Sequence, residues 1–296
     1  MKKIKIDLKI GFASLDIGAR EDVTTQYLGT YKSVFKGRGL EFDSYRKYSP
    51  DNDDASMIDS LASARAGSRM VRQFIEERNM DVFFLIDVSN TMILSSQPKL
   101  KCEYAAELAS SLGLTILKSD DNIGYALFNE KIVEFSPSQK GLNVHSRLIN
   151  ALTQANIYGG GYNLKGAIDS VLEYLKEGSL LIIISDFIGL QKGWEESIKL
   201  ASSKYSVIGI MVRDPIDRKI PEGIGQISIA DPMSGQSLIV ESSSIKPFFE
   251  AEVKKTENHI NSVFMDNGSD FLALQTNESF IGKIIELFKM REIRWR

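Results

Sequence analysis

The chain changes texture at Asp81. Before it, apolar residues are scattered and no period holds for long; residues 30–60 mix turn formers, aromatics and charges, and this reads as a small irregular region with β-structure. Residues 4–12 alternate weakly and could form a strand, and residues 61–80 look helical. From Asp81 onward, short apolar runs alternate with amphipathic stretches. Strands are expected at 82–87, 123–128, 180–185, 206–212 and 270–275, and helices at 99–118, 143–155, 163–176, 193–203, 244–264 and 278–290. In the first of these helices Leu100, Tyr104, Leu108, Leu112 and Ile116 recur every four residues and share a face. Residues 213–242 are rich in Gly, Pro and Asp around two short apolar runs, as in a β-hairpin.

Strands that alternate with helices form a parallel sheet covered on both faces, so the expected fold is a three-layer, Rossmann-like α/β domain. We place it at residues 79–296, behind an N-terminal region at 1–78.

Composition narrows the function classes. The 296 residues carry 36 basic and 39 acidic side chains, a net charge of -3, and neither half is basic enough to make nucleic acid the main partner. One cysteine, Cys102, excludes an intramolecular disulfide framework, and two histidines, His145 and His259, leave a zinc site almost without ligands. The opening "MKKIKIDLKIGFASLD" lacks the continuous apolar core of a signal peptide, and the run "LLIII" at 180–184 is only strand-sized. The expected location is the cytoplasm, with no membrane segment.

The chemistry gathers where strands end. "DVFFLIDVSNTM", residues 81–92, delivers Asp87, Ser89, Asn90 and Thr91 after an apolar run. The loop "YGGGYNL", 158–164, opens a helix, and Ser185-Asp186 follows "LLIII". In open parallel sheets ligands collect outside the carboxyl ends of the strands. Oxygen-only groups converging there suit a hard divalent ion such as Mg²⁺.

Asp-x-Ser-x-Thr after a first strand, with a second Asp after a later one, resembles the metal-ion-dependent adhesion site of von Willebrand factor A domains. The resemblance implies that Asp87, Ser89, Thr91 and Asp186 surround Mg²⁺ or Mn²⁺, with an open position for a partner's carboxylate. The family has a Thr in a Gly-Thr-Asn/Asp-Leu pattern where this chain reads Gly161-Tyr162-Asn163-Leu164. A phenol cannot occupy that ligand point, which leaves the amide of Asn163 or a water to fill it. The structural alternatives are that Asp87 only caps a turn and that Asn163 only caps a helix.

A second resemblance covers about 250 residues. "GRGLEFDSYRKYSPDNDDASMIDSLASARAG", 37–67, is similar to the hallmark of the prokaryotic domain-of-unknown-function family 58. Gly37, Gly39, Glu41, Phe42, Arg46, Tyr48, Asp53, Asp54, Ile58, Asp59, Ala64 and Arg65 match it, whereas Asn52, Ser56 and Ser60 replace its Gly, Arg and Trp. Members are typically encoded beside AAA+ ATPases of the MoxR type. Kinship therefore implies an adaptor that works with such an ATPase on client proteins.

The competing reading is a Mg²⁺-dependent phosphohydrolase of the haloacid dehalogenase type with Asp87 as nucleophile. That chemistry needs a second Asp two residues on, where this chain has Ser89, and no P-loop or G-x-S-x-G elbow is present. The expectation is a non-catalytic interaction module.

Overall fold

The computed structural model describes residues 41–50, 53–75, 79–221, 225–230 and 237–295. The weak strand expected at residues 4–12 lies outside them, as do Gly37, Gly39 and Asn52 of the family hallmark. By internal contacts the chain separates into residues 35–80 and a larger unit that holds residues 81–296.

In the smaller unit, β1 (Glu41–Lys47) pairs antiparallel with β2 (Met70–Ile75), with an irregularity between Phe42 and Ser44. The helix expected over 61–80 is only α1, Ser60–Ala66. Asp59 caps its start through the N–H groups of Leu61 and Ala62. Gly67, at φ 64°, then turns the chain out of the helix. The residues beyond it satisfy their backbone groups against β1 instead of continuing the helix.

The larger unit is built on six strands in the order β10-β7-β6-β3-β4-β5. They are β3 (Asp81–Asp87), β4 (Asn122–Phe128), β5 (Ile132–Gln139), β6 (Leu180–Ser185), β7 (Ser206–Arg213) and β10 (Asp270–Gln275). All pairs are parallel except β4–β5. β6 is buried along its whole length and β3 from Val82 onward, so each reads as a continuous apolar run and not as an alternation. β5 was not anticipated. It is an edge strand that carries Pro137 and alternates between exposed and covered positions, with Ser136 alone fully buried, so it lacks the signature of its neighbours.

Helices α2 (Lys101–Lys118), α3 (Leu142–Thr153), α4 (Leu164–Leu172), α5 (Trp194–Lys204), α6 (Ser242–Asp266) and α7 (Ile281–Trp295) complete the unit. Ile168, Ile198 and Phe264 of α4, α5 and α6 share one core with Leu85, Ile183 and Met211 of the sheet. Gly209 in β7 makes room for the Phe264 ring, which would lie 2.6 Å from any Cβ there. On the opposite face Gly113 of α2 lies against Phe84 and against His145 of α3. The expected hairpin appears as β8 (Gln226–Ala230) paired antiparallel with β9 (Ser237–Glu241).

This is the three-layer α/β architecture, a mostly parallel sheet between layers of helices, expected from the sequence. Its strand order reverses direction between β3 and β6, and the crevice outside their carboxyl ends is where such sheets bind ligands.

Candidate functional site

β3 ends at Asp87 and β6 at Ser185, so the topology sets the two polar segments side by side. Asp87 is fully buried. Its Oδ1 accepts the Ser89 N–H at 2.8 Å and its Oδ2 accepts the Ser185 hydroxyl at 2.7 Å. The Oγ atoms of Ser89 and Thr91 lie 3.0 Å apart. The loop after Ile157 closes alongside: Gly159 donates its N–H to Val88, and Asn90 donates to Gly160.

Ser185 fixes the proton positions. Its single proton goes to Asp87, so its other two neighbours must donate: the Phe187 N–H at 2.9 Å and the Tyr162 phenol at 3.1 Å. Tyr162 is therefore part of the network. It is 2% exposed, packs its ring on Phe128, and is kept protonated by burial well above the ordinary phenol range. Phe187 adopts φ 52°, uncommon for a residue with a side chain, and this turn sends its ring towards Phe264 and Phe271.

Asp186, also fully buried, takes the Ile188 N–H on Oδ1 at 2.9 Å. Its Oδ2 takes the ammonium of Lys101 at 2.7 Å, and the same ammonium reaches Asp217 at 2.9 Å. Lys101 is 1% exposed. Burial pushes its pKa down, but the charges of Asp186 and Asp217 outweigh that and hold it above its ordinary value. Among the described residues Asp87 has no such partner: burial first, then the charge of Asp186, push its carboxyl up to about 7. A further buried carboxylate, Asp214, accepts the Ser95 hydroxyl at 2.6 Å and the N–H groups of Ser96 and Ile216 at 3.0 Å, and so ties the loop after β3 to the end of β7.

Of the sequence-predicted residues, Asp87, Ser89, Thr91 and Asp186 meet as expected, and Asn163 does not join them. Its amide oxygen accepts the Gly166 N–H at 2.9 Å, which caps α4. Lys101 and Asp217 were not anticipated. One signal was available for Lys101: it stands on the buried stripe of α2, one turn before Ala105 and two before Leu108, and at a helix N-terminus where a cation is electrostatically misplaced.

The Ser89–Thr91 pair is spaced as two neighbouring metal ligands would be, but the remaining groups do not fit a divalent ion. The Asp186 oxygen is covered by an ammonium, Asn163 is a helix cap, and a phenol occupies the place of the family's Thr. Among the described residues no group of three or more His, Cys, Asp or Glu is placed to hold a metal.

Beside the network runs a groove of about 980 Å³ whose walls include Leu94, Phe187, Ile188, Ile216, Ile220 and Phe249. Ile93, Leu94 and Ile216, in the loops after β3 and β7, are exposed. Among the described residues no helix is long and apolar enough to cross a membrane.

A family profile described as "Protein of unknown function DUF58" matches residues 44–259. An uncharacterized protein of Mycobacterium tuberculosis is 22% identical over 290 residues, 96% of this chain and 90% of its own. Among solved structures, an aerotolerance-related membrane protein from Bacteroides fragilis aligns with a TM-score of 0.51 at 16% identity, covering 72% of this chain and 100% of that one. A von Willebrand factor type A structure from Catenulispora acidiphila aligns with a TM-score of 0.42 at 8% identity, covering 74% and 44%.

Proposed function

The chain belongs to the DUF58 family, and from that premise we propose that it is a non-catalytic, cytoplasmic protein-interaction module that docks its partner at the carboxyl edge of the sheet. The observation that carries this reading is the pairing of a closed polar network with an apolar rim. Both oxygens of Asp87 are bonded and the side chain has no exposure, which suits a structural carboxylate and not a nucleophile that must meet a phosphate. Around it, Ile93, Leu94 and Ile216 offer exposed apolar surface of the kind that anchors protein contacts.

The partner class is the one the family resemblance implies, a MoxR-type AAA+ ATPase acting on client proteins. In this reading ATP hydrolysis belongs to the partner, and the present chain supplies orientation and recognition. The test is the affinity of the purified chain for the MoxR-type ATPase of the same source. The double variant Leu94→Asp/Ile216→Asp should bind at least about tenfold more weakly, because charges placed in a desolvated apolar contact forfeit the contribution of its anchors. Unchanged affinity in a variant that keeps its circular dichroism would rule this face out.

A further inference from the structure

We propose that Lys101 is a built-in counter-ion that replaces the divalent cation at the β3–β6 crevice, so that this site works without metal. The inference rests on the geometry of the network and not on the docking reading, and its test needs no partner.

Three observations carry it. First, the ammonium lies 2.7 Å from Asp186, the second carboxylate of the Asp-x-Ser-x-Thr constellation, and 2.9 Å from Asp217. It therefore supplies positive charge where the resemblance implies a metal ion. Second, Lys101 is 1% exposed and stands at the first position of α2, where the helix N-terminus disfavours a cation. Burial and helix position both work against a charged lysine, and the two carboxylates offset them. Third, the ligands left to an ion are Ser89, Thr91, Asp186 and water, so the charge already seated at Asp186 decides whether one is held. Asn163 caps α4, and Tyr162 donates to Ser185, which in turn donates to Asp87.

A divalent ion brought to Ser89 and Thr91 would meet the fixed positive charge that Asp186, the carboxylate it needs, already holds. The prediction is a gain of function. In Lys101→Met the crevice keeps Asp87, Ser89, Thr91, Asp186 and Asp217 and loses its cation.

The probe is Mn²⁺, followed by calorimetry and electron paramagnetic resonance on the full chain. Lys101→Met should bind one Mn²⁺ at least about a hundredfold more tightly than the natural chain, because a nearby unit charge in a partly buried site opposes a divalent ion by several factors of ten. Lys101→Arg should remain as weak as the natural chain, and Lys101→Met/Asp186→Asn should lose the gain. Saturable Mn²⁺ binding by the natural chain as tight as that of Lys101→Met would overturn the proposal. So would a folded Lys101→Met that takes up no ion. Should Lys101→Met fail to fold, Lys101→Met/Asp217→Asn removes one carboxylate together with the ammonium, leaves Asp87, Ser89, Thr91 and Asp186 in place, and is judged by the same two outcomes.

Discussion

Asp59 in the smaller unit and Asp87 in the larger one are both nearly or wholly buried, at 8% and 0% exposure, and both accept a backbone N–H from the turn that follows. Their carboxyls are nevertheless driven in opposite directions. Asp59 takes the Ala62 N–H and the guanidinium of Arg72 and is held down to about 2. Asp87 takes two uncharged donors, faces the charge of Asp186, and is pushed up to about 7. What separates them is the supply of positive charge and water. Arg72 has a side chain 54% exposed and serves Asp59, whereas Lys101, 1% exposed, is shared between Asp186 and Asp217, and among the described residues no cation pairs with Asp87. Hydrogen bonds alone do not keep a buried carboxylate ionised against desolvation and a like charge.

The largest effect expected from this contrast comes from removing the buried cation. Lys101→Met should cost about 3–5 kcal/mol in urea unfolding without metal, the range for breaking a buried ion pair from one side, because Asp186 and Asp217 stay behind uncompensated. A loss below about 1 kcal/mol would place the ammonium in the class of surface pairs and erase the contrast with Arg72. Next in size is Tyr162→Phe, which removes one donor from Ser185 and leaves the ring on Phe128 in place. The expected loss is about 1–2 kcal/mol, that of a buried acceptor left without its partner. An unchanged unfolding midpoint would mean that the phenol only fills space.

How much of this was legible beforehand follows from the reach of each interaction. β3 and β6 are covered on both faces, so their apolar runs mark them, and the polar residues at their ends identify Asp87, Ser89, Thr91 and Asp186 directly. β5 carries a proline and an exposed face, and nothing local distinguishes it from loop. α1 stops at Gly67, yet the pairing of β2 with β1 that makes use of this stop joins residues 23 to 34 positions apart, so the stretch after the glycine still read as helix. Lys101 illustrates the same limit at the site. It meets Asp186 across 85 residues and Asp217 across 116, through a topology that no local pattern encodes. Tyr162 was legible as a departure from the family pattern. That its phenol turns inward to Ser185 depended on the position of β6.

The smallest expected effect concerns Arg72→Ala, and it sharpens the comparison most. Asp59 stabilises the folded state above its ordinary value of 3.8, and that stability is lost as pH falls through about 2. Asp87 has the opposite sign: its raised carboxyl makes folding progressively less favourable as pH climbs from 3.8 towards about 7. Removing Arg72 takes away a half-exposed, solvent-screened partner, so near neutrality the change in stability should be slight and should shrink further in salt. The carboxyl ¹³C titration of Asp59 should nevertheless move upward and stop short of 3.8, because the leading cause of its depression is the Ala62 N–H at the start of α1, which the substitution leaves in place. A midpoint at or above 3.8 would show that the guanidinium alone holds Asp59 ionised. Asp59 and Asp87 would then differ only in having or lacking a cation, and the helix N-terminus would contribute nothing to the difference.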